Sequence, residues 1–174
     1  QFNPALILFL LLLTILWIAG GASHADVTGQ VITRSGAWLV LVLAILCGVR
    51  PNIASIKPVF WLLLATALLP LLQLVPLPPS LSLHLPGRDF LSSAPFHEKA
   101  IWRPWSLTPS ATINAASSLI VPVITLYLVS GMSLKERAWL PTILLGAIFL
   151  SMLVGLLQFS GLAINNPFIN DSVG

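Results

Sequence analysis

Five apolar runs, none with a charged residue in mid-span, constrain this chain more than any other feature. The hydrocarbon core of a bilayer is about 30 Å thick and takes about 20 helical residues to cross. Backbone groups inside it must be satisfied within the segment, so such runs read as spanning α-helices. The pattern predicts helices over 4–21, 35–49, 58–75, 109–131 and 139–161, with one long outer loop over 76–108. The expected fold is therefore all-α, a polytopic helical membrane protein with a single transmembrane domain. Composition agrees: 57% of the residues are hydrophobic and 7% are charged, where a soluble domain carries about 25% charged residues.

The ends of these runs carry their own signals. The first closes at Gly20 and Gly21, and Ser23-His24-Ala25 resembles a signal-peptide cleavage site. The run is longer than the usual apolar core of about 7–15 residues, and no basic segment precedes it, so it reads as a retained helix. The second run is short unless it takes in Val31 and Ile32 before Arg34. Pro58 suits the first turn of the third helix, and Pro70 is expected to kink it. Thr108 followed by Pro109 is a helix start, an N-cap residue before proline at the first helical position. Residues 132–137 read as a tight basic turn, 89–102 as a short surface helix within the loop, and 162–174 as a polar tail. The chain starts at Gln1 and stops just past an apolar run, and it reads as a piece of a longer protein.

Orientation follows from basic residues in short links. Arg50 and Lys57 flank one link, Lys135 and Arg137 lie in another, and two helices separate them. Both links then share one face, which the positive-inside rule makes cytoplasmic. On this reading Gln1 is cytoplasmic and the loop over 76–108 lies outside. Trp17, Trp38, Trp61 and Trp139 fall near helix ends, as an interfacial aromatic belt requires.

Several function classes drop out. Cys47 is the one cysteine, so no intrachain disulfide and no thiolate metal site is expected, and it reads as a small packed hydrophobe. The net charge of +3 is spread over short links and lacks the clustered Lys and Arg of a nucleic-acid interface. No phosphate-binding glycine loop, HExxH, GxSxG or paired intramembrane carboxylate occurs. Without charged residues in mid-span there is no relay of the kind ion-coupled transporters carry.

The residues able to carry chemistry lie in and beside the outer loop. Arg88, Lys99 and Arg103 sit among Leu81, Leu83, Leu85, Phe90, Trp102 and Trp105. A loop this apolar lies at headgroup level. There the guanidinium and ammonium groups are candidates for holding phosphate or diphosphate, or for anchoring the chain to anionic membrane lipid. In the fourth helix Ser110, Asn114, Ser117, Ser118 and Thr125 fall near one face, and Pro122 frees the carbonyl of Ser118. Such a stripe serves interhelical hydrogen bonds or borders a substrate groove, with Asn114 and Ser118 as groove-lining candidates. Gln73 and Gln158, near the outer ends of their helices, either join that groove or reach toward headgroups. Ala147, Ser151 and Gly155 recur every four residues, the small-residue spacing that lets helix backbones approach, and are expected to serve helix packing.

Three stretches around the loop resemble the bacterial O-antigen ligase and polysaccharide polymerase family. They are Leu74-Val-Pro-Leu-Pro-Pro79, Leu85-Pro-Gly-Arg88, and Trp102-Arg-Pro-Trp-Ser-Leu-Thr-Pro109 with Ala111 and Thr112. Gly155-Leu-Leu-Gln-Phe159 fits the same pattern, and the likeness runs from about Leu68 to the end of the chain. The resemblance implies the N-terminal membrane part of a glycosyltransferase that needs no metal or other cofactor. Such enzymes move a glycan from undecaprenyl diphosphate to an acceptor sugar, on a lipid core or a growing polymer, at the periplasmic face. The family's catalytic Arg and His lie in a large later loop with no counterpart in these residues, so no catalytic residue is carried over. Arg88 and Arg103 match framework positions of the family. From the residues themselves a second reading stands beside this one, a non-catalytic helical subunit packed against other membrane subunits. A lipid or glycan transporter is a third.

Overall fold

The computed structural model describes residues 3–19, 28–82, 84–88 and 102–160. In chain order the elements are α1 (Pro4–Ala19), α2 (Thr28–Leu46), α3 (Ile53–Gln73), β1 (Pro76–Leu77), α4 (Pro79–Ser82), β2 (Arg103–Pro104), α5 (Pro109–Ser118), α6 (Ile120–Gly131) and α7 (Leu134–Phe159). They fall into two compact units, Gln1–Phe60 with Ile120–Gly174, and Trp61–Leu119. Among the described residues four segments are long and apolar enough to cross a membrane: Thr28–Leu46, Ile56–Gln73, Pro109–Gly131 and Leu134–Leu157. Pro4–Ala19 is a shorter apolar helix of 16 residues.

In the first unit α1, α2 and α6 pack on one another. Their core joins Ala5, Leu6, Leu8, Phe9 and Leu12 of α1 to Ala37, Val40 and Ala44 of α2 and to Ile124 and Leu128 of α6. α1 is the most buried of the described helices. Its neighbour α2 comes close at Gly36, where an added Cβ would stand 3.0 Å from the Ile15 side chain. By contrast α3 and α7 have no buried residue inside their candidate spans. Their outward apolar side chains, Trp61, Leu69, Leu145 and Phe149 among them, are exposed, which suits a hydrocarbon surrounding.

Polar groups gather where these helices begin and end. Asn3 caps α1, its Oδ1 accepting the Ala5 N–H at 3.1 Å ahead of Pro4. Ser133 and Glu136 form a capping box at the start of α7. The Ser133 N–H donates to Glu136 Oε2 at 2.8 Å, and the Glu136 N–H donates back to Ser133 Oγ at 3.4 Å. Glu136 also accepts from the Asn3 N–H at 3.1 Å and from Asn3 Nδ2 at 3.3 Å, so one carboxylate ties two helix starts together. α2 ends in a Schellman motif. Gly48 takes a φ of +69°, the Val49 N–H reaches the Ala44 carbonyl at 2.9 Å, and the Gly48 N–H reaches Ile45 at 3.0 Å. The Tyr127 hydroxyl donates to the Val49 carbonyl at 2.8 Å. The Ser130 carbonyl accepts from the Asn52 N–H at 3.4 Å and from Arg137 Nη2 at 2.8 Å. The link after α2, which carries Arg50, and the start of α7, which carries Lys135 and Arg137, therefore meet at one end of this unit.

Several boundaries differ from the sequence expectation, each for a local reason. α2 starts at Thr28, taking in Val31 and Ile32, with Arg34 Nη2 held by Gln30 Oε1 at 2.9 Å one turn back. α3 starts at Ile53 instead of 58, and α7 starts at Leu134 instead of 139 because the capping box nucleates it there. The expected basic turn over 132–137 is thus mostly the first turn of a helix. The helix expected over 109–131 is interrupted at Leu119. Pro122 supplies no N–H for the Ser118 carbonyl, and the Ser117 and Ser118 hydroxyls turn back onto the Asn114 carbonyl at 2.8 and 2.9 Å. Cys47 stands exposed in the turn after α2 instead of packed. The expected surface helix over 89–102, all but its last residue, and the tail over 162–174 lie outside the described residues.

The second unit holds most of α3, then β1, α4, β2 and α5. β1 and β2 pair antiparallel, Pro76 opposite Pro104 and Leu77 opposite Arg103. Proline cannot donate to a ladder, so prolines on both strands keep it to two residues. The Ser106 N–H donates to the Gln73 carbonyl at 2.8 Å, stitching the returning chain to the end of α3.

Candidate functional site

A pocket of about 380 Å³ opens in the second unit, lined by Gln73, Leu85, Pro86, Arg88, Trp105, Ser106, Leu107, Thr108 and Thr112. Volumes of this order suit small ligands. Three segments build it: the end of α3, the turn over 85–88, and the chain between β2 and α5.

The turn is made by Pro86 and Gly87. Gly87 has a φ of +80°, the conformation a type II turn asks of its third residue, and Pro86 pre-sets the residue before it. This delivers Arg88 into the interior of the unit, where it is 3% exposed. Its Nη2 donates to the carbonyls of Pro104 and of Trp105, the latter at 2.8 Å, with the Ser106 carbonyl at 3.5 Å. Arg88 therefore fastens the chain leaving β2. Its Nη1 is buried with no hydrogen-bond partner among the described residues.

The opposite wall is a hydroxyl network. Ser106 Oγ and Thr112 Oγ1 lie 2.6 Å apart. The Thr108 N–H donates to Ser106 Oγ at 3.2 Å, and Thr112 Oγ1 donates to the Thr108 carbonyl at 3.3 Å. Thr108 occupies the N-cap of α5 ahead of Pro109, as its sequence position predicts, but its side chain makes no capping hydrogen bond. Gln73 adds an exposed side chain. No acidic residue is among those lining the pocket.

Of the three cationic residues singled out in the sequence, the structure brings Arg88 into the pocket. Arg103 sits half-buried in β2 opposite Leu77, outside the pocket lining. Lys99 lies outside the described residues. Of the groove candidates Gln73 lines the pocket, while Asn114 and Ser118 lie outside its lining, the Ser118 hydroxyl donating to the Asn114 carbonyl. The side chain of Gln158 is not among those described. Along the small-residue stripe of α7, Ser151 Oγ accepts the Trp17 indole N–H at 2.9 Å. Ala147 is half-buried, and an added Cβ at Gly155 would meet nothing within 4 Å. Among the described residues no three His, Cys, Asp or Glu side chains come together to hold a metal.

Ser106, Thr108 and Thr112 are pocket residues that the sequence marked only as framework or as a helix start. No local signal singles them out, because the Ser106–Thr112 contact forms only when the chain turns into α5. Comparison of the chain with protein-family models, with curated proteins and with solved structures finds no match.

Proposed function

We propose that this chain is the N-terminal membrane part of a glycan transferase of the O-antigen ligase or polysaccharide polymerase kind. The transferase moves glycan from undecaprenyl diphosphate to an acceptor sugar at the periplasmic face of the inner membrane. The observation that carries the reading is that its three resembling stretches form one physical unit. Pro76 and Leu77 of the first pair with Arg103 and Pro104 of the third, and Arg88 of the second binds carbonyls of the third. The basic links meeting at one end of the first unit support a cytoplasmic end there under the positive-inside rule. In such a transfer the departing diphosphate calls for cationic stabilisation, which Arg88 and Arg103 of the loop unit are suited to give.

The test is the double variant Arg88→Ala with Arg103→Ala, assayed for lipid-linked glycan transfer in the host cell. Transfer falls about 100-fold at unchanged protein level. Unchanged transfer together with loss of co-purifying membrane proteins would instead favour the reading as a non-catalytic subunit, which the exposed apolar faces of α3 and α7 also suit.

A further inference from the structure

The pocket beside Arg88 contains a buried cation with unused hydrogen-bonding capacity. A guanidinium carries five N–H donors and stays charged. At Arg88 the carbonyls of Pro104, Trp105 and Ser106 engage Nη2 alone, while Nη1 is buried and unpartnered among the described residues. Leaving a buried charged donor unmet is costly, and native structures seldom do so without a reason. Among the described residues none lining this pocket is acidic.

A second feature points the same way. The pocket wall includes the start of α5, a helix of 10 residues whose N-cap residue Thr108 makes no side-chain cap. The positive end of the helix dipole favours an anion. The neighbouring hydroxyls of Ser106 and Thr112 are already engaged with each other. That leaves the Thr108 hydroxyl and the Gln73 amide as the neutral groups able to turn toward a guest.

We propose that this pocket binds a phosphate-class oxyanion. The buried Arg88 guanidinium supplies the charge from the pocket wall, and Thr108 Oγ1 and the Gln73 amide supply neutral donors. A volume of about 380 Å³ leaves room for a group carried on the phosphate. The oxyanion is borne by a lipid headgroup or is free in solution, and both present the same tetrahedral oxygens. The inference deepens the reading of the loop unit as lying at headgroup level, and it does not need glycan transfer to occur.

The experiment uses the full chain in nanodiscs. Calorimetric titration with inorganic phosphate reads the free source. Native mass spectrometry of retained phosphatidylglycerol against phosphatidylcholine reads the lipid source. Arg88→Ala removes the charge but also unfastens the chain after β2, so Thr108→Val and Gln73→Leu carry the decision. Each is expected to weaken binding roughly tenfold, the effect of losing one hydrogen bond to a charged ligand. Phosphate binding lost in these variants assigns a free oxyanion. Selective retention of phosphatidylglycerol, lost in the same variants, assigns a lipid headgroup. Absence of both in the unaltered chain, or binding indifferent to Thr108→Val and Gln73→Leu, overturns the proposal. Failure of transfer with binding intact would count against the transferase reading alone.

Discussion

At the scale of single residues, the site depends on one backbone conformation. Gly87 holds a φ of +80°, and that turn lets Arg88 fold inward to the carbonyls beyond β2. A side chain at such a φ costs about 1–2 kcal/mol. In the Gly87→Ala variant the chain after β2 is expected to loosen while the first unit stays folded. Limited proteolysis read by peptide mapping checks this, with faster cleavage expected over 102–108 and unchanged cleavage over 28–46. The motif Leu85-Pro-Gly-Arg88 announced a turn, and Arg88 was legible as a cation worth testing. Its role as a fastener was not. Nothing local in sequence says that a guanidinium will spend Nη2 on carbonyls of residues 104–106, because those partners are set by chain return.

At the scale of elements, apolar runs located the helices, and caps decided their ends. Ser133 and Glu136 start α7 one turn and more before its apolar run, a capping box written in the sequence as Ser-x-x-Glu among basic residues. Pro122 announced a freed carbonyl at Ser118 in the fourth run, and the structure interrupts the helix beside it, at Leu119. The end of α6 shows a tighter constraint. A Cβ at Gly131 would stand 2.7 Å from Val49 Cγ1, a stiff β-branched side chain at the Schellman end of α2. Gly131→Ala is therefore expected to destabilise the first unit by about 1–3 kcal/mol, the usual cost of overpacking. Thermal unfolding in detergent checks it, as a lower Tm. An unchanged Tm would mean that the junction between α2 and α6 is looser than its hydrogen bonds indicate. Packing of this kind depends on distant partners, so periodicity alone does not reveal it.

At the scale of the whole molecule, the account turns on which side of the membrane each unit's polar groups face. The apolar runs made a membrane protein legible at once. The meeting of the two basic links was legible as a shared face, and the hydrogen bonds of the Ser130 carbonyl give that face its physical joint. The pocket was not legible, because it draws on α3, the 85–88 turn and the start of α5. The single cysteine offers the most direct test, since Cys47 is exposed in the turn beside the basic link. A membrane-impermeant maleimide is applied to intact spheroplasts and to inverted vesicles. The unaltered chain is compared with a Cys47→Ser chain carrying Leu107→Cys, a substitution at an exposed position beside the pocket. The account predicts that Cys47 is labelled only in inverted vesicles and that the new thiol at position 107 is labelled only in spheroplasts. Labelling of Cys47 in intact spheroplasts, or of position 107 only from the inner side, would contradict it.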